Sequence, residues 1–150
     1  MATIHLPKDF KEFLRLLNAN KVEYLLIGGY AVGYHGYPRA TADMDIWISI
    51  NEENASKIVE VLKTFGFSDP GINTDAFLKP DQIIRMGLPP IRIEVVTTIS
   101  GVSFDECYSE RVEDEIDGIK VNLIDINHLK INKKASGRYK DLNDLENLPG

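Results

Sequence analysis

The sequence predicts an α/β (α+β) fold in which a single mixed β-sheet is flanked by helices and followed by C-terminal helices. Three observations carry this. "DMDIWISI" alternates strictly, with Met44, Ile46, Ile48 and Ile50 on one side and Asp43, Asp45, Trp47 and Ser49 on the other, as a strand requires. Phe10, Phe13, Leu14 and Leu17, and later Ala55, Ile58, Val59, Leu62 and Phe65, recur at helical spacing. Helical and strand patterns then follow one another as αβαβαβ before a run of strands and two final helices, the order of a mixed α/β unit. The length of 150 residues fits one domain, 1–150, and no internal repeat, low-complexity tract or linker divides it.

Taken in order, the first helix follows Pro7. "VEYLLIGG" reads as a buried strand and "YAVGYHG" as a short helix beginning where the glycines end. The alternating strand comes next. Asn51, with Glu52 and Glu53, caps the following helix, which Gly66 stops. "DQIIRMG" and "IRIEVVTT" are strands separated by Leu88, Pro89 and Pro90, and in the second Arg92, Glu94 and Val96 share a face. A short helix is expected near 104–110. A hairpin follows, turning at Asp117-Gly118 with "IKVNLI" as its second strand. Helices at about 127–135 and 140–148, joined near Gly137, close the chain.

The composition, 43% apolar and 27% charged, favours neither disorder nor a membrane protein, and no apolar run approaches the roughly 18 residues a span needs. "MATIHLPKDF" lacks the plan of a secretory signal, and the lone Cys107 permits no internal disulfide, so a cytoplasmic setting is expected. A net charge of −6 argues against a broad cationic face for duplex nucleic acid. That charge is uneven. Residues 105–117 carry seven acids and one base, whereas "KINKKASGRYK", 130–140, carries five bases and no acid. The basic stretch reads either as a solvated helix face or as a local positive patch.

Asp43 and Asp45 point to chemistry. Acids are disfavoured in a strand interior and two on one face repel, so stability alone requires a cation or several donors beside them. Two carboxylates converging on one side of a strand form a hard-oxygen site for Mg²⁺ or Mn²⁺, ions that commonly complete their shell with substrate phosphates. Gly28 and Gly29 end the preceding strand. A Gly-Gly turn lets backbone approach a phosphate and aims free N–H groups at it, though it is also an ordinary tight turn.

The stretch "LIGGYAVGYHGYPRATADMDIWI" resembles the signature of the DNA polymerase beta-like nucleotidyltransferase superfamily: an apolar strand, Gly-Gly or Gly-Ser, a spacer, and an Asp-x-Asp pair between apolar residues. The match lies at Gly28, Gly29, Asp43 and Asp45, and "PRATADMD" fits the loop before the pair in small members. The resemblance implies a third carboxylate on a neighbouring strand, usually Asp, and Glu94 in "IRIEVV" stands at the corresponding place. "NKKASGRYKDLNDLENL" is similar to the C-terminal segment of small nucleotidyltransferase-like proteins related to abortive-infection toxins. By that likeness Lys133 contacts the triphosphate and Asp141 helps complete the site.

What the resemblance implies is a two-ion site, Mg²⁺ or Mn²⁺, held by Asp43, Asp45 and Glu94, with a nucleoside triphosphate as substrate. A nucleoside monophosphate would pass to a hydroxyl acceptor on tRNA, protein or a small molecule. Gly28, Gly29, Arg39 and Lys133 would hold the phosphates, and Arg92 would pair with Glu94 or reach phosphate. An antitoxin-like partner is a further implication. The alternatives are a non-catalytic protein of the same fold that binds nucleotide or a partner chain, and a metal-stabilised interaction domain. His35 reads as a packed or surface histidine before a phosphate contact, and Trp47 as core or cleft wall.

Overall fold

The structure, a computed structural model, describes residues 4–150; residues 1–3, the start of the expected 1–150 unit and of the N-terminus considered above, lie outside the described residues. Six strands form one mixed sheet in the order β3-β4-β2-β1-β6-β5. They are β1 (Tyr24–Ile27), β2 (Asp43–Ile48), β3 (Ile83–Met86), β4 (Arg92–Val96), β5 (Val112–Ile116) and β6 (Ile119–Leu123). The β2–β4 and β1–β6 pairs are parallel and the other three antiparallel. The helices are α1 (Lys8–Ala19), α2 (Gly28–Tyr34), α3 (Glu52–Phe65), α4 (Phe104–Ser109), α5 (Ile126–Ser136) and α6 (Tyr139–Asn147), with a 3-10 turn at Thr74–Phe77. No helix among the described residues is long and apolar enough to cross a membrane.

Local chemistry sets most of these boundaries. Asn51 caps α3 by accepting from the Asn54 N–H at 2.8 Å, and Gly66, at φ +101°, ends it in the left-handed conformation. Asp117 and Gly118 both have positive φ, which makes the two-residue turn whose twist suits a hairpin. The strand expected over 81–87 is shorter than its pattern, because Asp81 and Gly87 take positive φ at its two ends.

Alternation along the central strands divides the core into two layers. Tyr24, Leu26, Met44, Ile46 and Ile48 join Phe10, Phe13, Leu14 and Leu17 of α1 and Ala55, Ile58, Val61 and Leu62 of α3. Each Val, Leu, Ile, Met or Phe among them contributes about 1.5–3 kcal/mol on full burial. On the opposite face Leu25, Ile27 and Trp47 pack with Ala31 and Val32 of α2, Cys107 of α4 and Leu129 of α5. Because β1 is covered on both faces it is apolar at all four positions rather than alternating. The apolar cover of that second face gives way at Asp43, Asp45 and Glu94, where a cavity opens.

Candidate active site

Strand register assembles the carboxylates. In the parallel pair β2–β4, Asp43 stands opposite Arg92 and Asp45 opposite Glu94. Asp43, Asp45 and Glu94 each offer an oxygen, and these oxygens lie within 4.8 Å of one another. They line a cavity of about 760 Å³ together with Gly28, Gly29, Arg39, Lys133 and Asp141, so every residue the resemblance gives to metal or nucleotide borders one space.

The glycines are required by close approach. Gly28 has φ +68°, and a Cβ there would stand 2.0 Å from Asp45 Oδ2; a Cβ on Gly29 would stand 2.6 Å from Thr41 Oγ1. The helix expected to begin after the pair therefore begins with it, since only residues without side chains fit against β2 and its preceding loop at that point.

Two arginines hold the acids. Arg92 pairs through both arms with Asp43, Nε to Oδ1 at 2.8 Å and Nη2 to Oδ2 at 2.9 Å, and its Nη2 lies 3.4 Å from Glu94 Oε1. Arg85, opposite Glu94 on β3, donates to the same Oε1 at 2.9 Å.

Across the cavity, Lys133 is 5% exposed and its ammonium sits 3.2 Å from Asp141 Oδ1 and 3.0 Å from Asp144 Oδ2. Arg39 donates to both oxygens of Asp144, at 2.7 and 2.8 Å, and Arg138 Nε to Asp141 at 2.7 Å. Burial alone would raise both aspartates, but these cations hold their carboxyls below the ordinary range. The network joins the loop before β2, α5 and α6. Asp144, fully buried at its centre, is absent from the sequence reading, although its i,i+3 relation to Asp141 places the two on one helix face. Lys140 was also missed. Its side chain is exposed, lines the cavity and draws Asp45 toward the charged form, and no ion pair engages it among the described residues.

Other residues have plain packing roles. The His35 ring Nε2 lies 2.7 Å from the Ile124 carbonyl, and Trp47 is buried with its indole N–H donating to the Thr97 carbonyl. Burial pushes the Cys107 thiol up to about 12.

The donor set fits a divalent cation: three hard carboxylate oxygens are held together, with one of them short of solvent. Burial, then the negative charge of Glu94 and a hydrogen bond shared with it, then Asp43, raise Asp45 to about 7. Its folded value exceeds its unfolded one, so the stability it contributes is complete below about pH 4 and is lost as pH rises through about 7. A cation that displaces the proton reverses that loss. Were Mn²⁺ held there, its affinity would climb about tenfold per pH unit between about pH 5 and pH 7 and then level, with one proton released per ion in that window. Calorimetry in buffers of different ionisation enthalpy measures both, and a flat profile without proton release would contradict the site.

Solved structures with this fold include a candidate nucleotidyltransferase from Thermotoga maritima, with TM-score 0.61, 17% identity, 91% of this chain and 88% of that chain covered. An antigenic nucleotidyltransferase-like protein from Paracoccidioides brasiliensis aligns with TM-score 0.57 and 19% identity over 93% of this chain and 73% of that one. At such identities the likeness is one of fold. No curated protein matches the chain in sequence. The family described as "Nucleotidyltransferase of unknown function (DUF6036)" matches residues 5–148, and the chain belongs to it.

Proposed function

We propose that this protein is a Mg²⁺- or Mn²⁺-dependent nucleotidyltransferase that moves a nucleoside monophosphate from a triphosphate to a hydroxyl acceptor, the acceptor oxygen bonding to the α-phosphorus as pyrophosphate leaves. The observation that carries the reading is the convergence of Asp43, Asp45 and Glu94 oxygens within 4.8 Å, facing a glycine turn inside the cavity. Asp43, Asp45 and Glu94 would hold the metal. Bound there, a divalent cation supplies Lewis-acid chemistry, offsetting triphosphate charge and acidifying an acceptor hydroxyl.

The chain's own groups do the rest. Gly28 and Gly29 bring the strand-to-helix turn against Asp45 and Thr41, so that its backbone borders the space for the phosphates, and the exposed ammonium of Lys140 meets the terminal phosphates. Lys133 and Asp141, which the resemblance gives to the triphosphate and to completing the site, border the cavity and also brace its wall: the ammonium pairs with two buried aspartates, and with Asp144 they fix Arg39 at the cavity rim. Ile83, Val96 and Ile99 add an apolar side to an otherwise charged space, suited to a planar base or an acceptor. The acceptor classes are a tRNA end, a protein side chain and a small hydroxylated molecule, with a toxin–antitoxin pairing as one setting.

A second reading, a non-catalytic nucleotide- or partner-binding protein of the same fold, draws support from one observation: Arg92 engages both oxygens of Asp43. Glu94→Ala separates the two. Under the enzymatic reading it leaves metal-dependent triphosphate affinity within a few fold but lowers transfer about a hundredfold, the scale of losing one group that stabilises only the transition state. Glu94→Asp retains transfer. Wild-type protein that binds triphosphate yet transfers nothing to any acceptor in a cell extract would favour the second reading, and normal transfer by Glu94→Ala would remove Glu94 from the site.

A further inference from the structure

Arg92 lies two residues before Glu94 on β4 and opposite Asp43 on β2, so its guanidinium spans two of the three carboxylates. The planar fork of arginine matches a carboxylate with two parallel hydrogen bonds, and here both Asp43 oxygens accept one. A divalent cation on the same oxygens would sit a few ångströms from the guanidinium. Two cations at that separation repel, so they compete for Asp43.

The four arginines at the cavity differ in how readily they can leave their partners. Arg39 and Arg138 hold Asp144 and Asp141, each about 1% exposed, and their withdrawal would leave two buried carboxylates to share the single Lys133 ammonium. Arg85 is more than half exposed and touches Glu94 through one nitrogen. Arg92 alone combines a two-armed grip with a carboxylate partner that the cation itself would neutralise, so its departure strands nothing. Its side chain is 31% exposed on the cavity wall, within the space that the proposed function gives to the triphosphate. A guanidinium fork suits phosphate as well as carboxylate.

We infer that Arg92 is an exchangeable counterion: it pairs with Asp43 and Glu94 until a divalent cation takes those carboxylates, and then turns its guanidinium to the triphosphate as a binding residue. The inference rests on the metal and triphosphate site proposed above. It makes cation and triphosphate binding mutually reinforcing, because each favours the position of Arg92 that admits the other, and linkage requires the effect to be reciprocal.

The test is a pair of titrations with opposite expected signs. Mn²⁺ alone, and then inorganic tripolyphosphate at saturating Mn²⁺, are titrated calorimetrically into wild type, Arg92→Ala and Arg92→Gln, the glutamine variant preserving more of the side-chain packing. Melting curves establish that each variant is folded. Loss of the competing guanidinium is expected to tighten Mn²⁺ alone about tenfold, whereas loss of the phosphate contact weakens tripolyphosphate about tenfold, the scale of one charge-assisted contact. Lys57→Ala, a surface change on α3 across the sheet from the carboxylates, should alter neither. Mn²⁺ bound equally or more weakly by folded Arg92 variants than by wild type overturns the exchange while leaving the metal site standing. If neither wild type nor variant binds Mn²⁺ at millimolar concentration, the metal reading falls and the exchange falls with it.

Discussion

Replacing Lys133 with methionine is expected to destabilise the fold by about 3 kcal/mol and to lower the melting temperature by roughly 6–12 °C. The ammonium sits between Asp141 and Asp144, whose side chains are 1% exposed, and methionine returns the volume without the charge. Asp144 then depends on Arg39 alone and Asp141 on Arg138 alone, which keeps the loss at the low end for a broken buried pair. Lys140→Ala is the informative contrast. It should melt within about 0.5 kcal/mol of wild type yet bind triphosphate about tenfold more weakly. Circular dichroism melting and a triphosphate titration of both variants check this, and a Lys133→Met protein that melts like wild type would contradict the bracing role.

The second large effect concerns the cation. With Mg²⁺ present, a nucleoside triphosphate at a hundredfold excess over its dissociation constant is expected to stabilise wild type by about 2.7 kcal/mol, an upward shift of roughly 5–10 °C. Asp43→Asn combined with Asp45→Asn should remove that shift entirely. The reason is the register of β2 with β4, which leaves Glu94 as the sole remaining acid of the cluster. Differential scanning calorimetry with and without chelator measures it. A metal-dependent shift surviving in the double variant would move the site elsewhere in the cavity.

The parts of the site readable from sequence are those fixed by local periodicity. The period of two in β2 puts Asp43 and Asp45 on one face whatever the partner strand is, and the same argument puts Arg92 and Glu94 together on β4. What joins the two pairs is register, and the Arg92–Asp43 contact exists because β4 pairs with β2 in parallel with those residues opposite. No local pattern encodes that choice. The adjacent lysines of α5 show a different limit: Lys133 lies four residues after the buried Leu129 and is itself buried, while Lys134 is turned outward, so helix phase distinguishes two residues that charge counting treats alike. Arg39 finds Asp144 across 105 residues, and in "KDLNDLEN" that aspartate looks like one more acid on a solvated face. Gly28 and Gly29 were legible as a tight turn at the site, but the contact that demands them, with Asp45 and Thr41, comes from the fold.

Transfer of the α-phosphorus together with its nucleoside is tested most directly by the fate of two labels. The protein is incubated with Mg²⁺ and a cell extract, once with a nucleoside triphosphate labelled at the α-phosphate and once with the same compound labelled at the γ-phosphate, each of the four bases in turn. α-Label is expected to become attached to one class of acceptor and γ-label to appear in pyrophosphate, with Asp43→Asn combined with Asp45→Asn yielding neither product. γ-Label on the acceptor, or no attached label with any of the four bases, would contradict it.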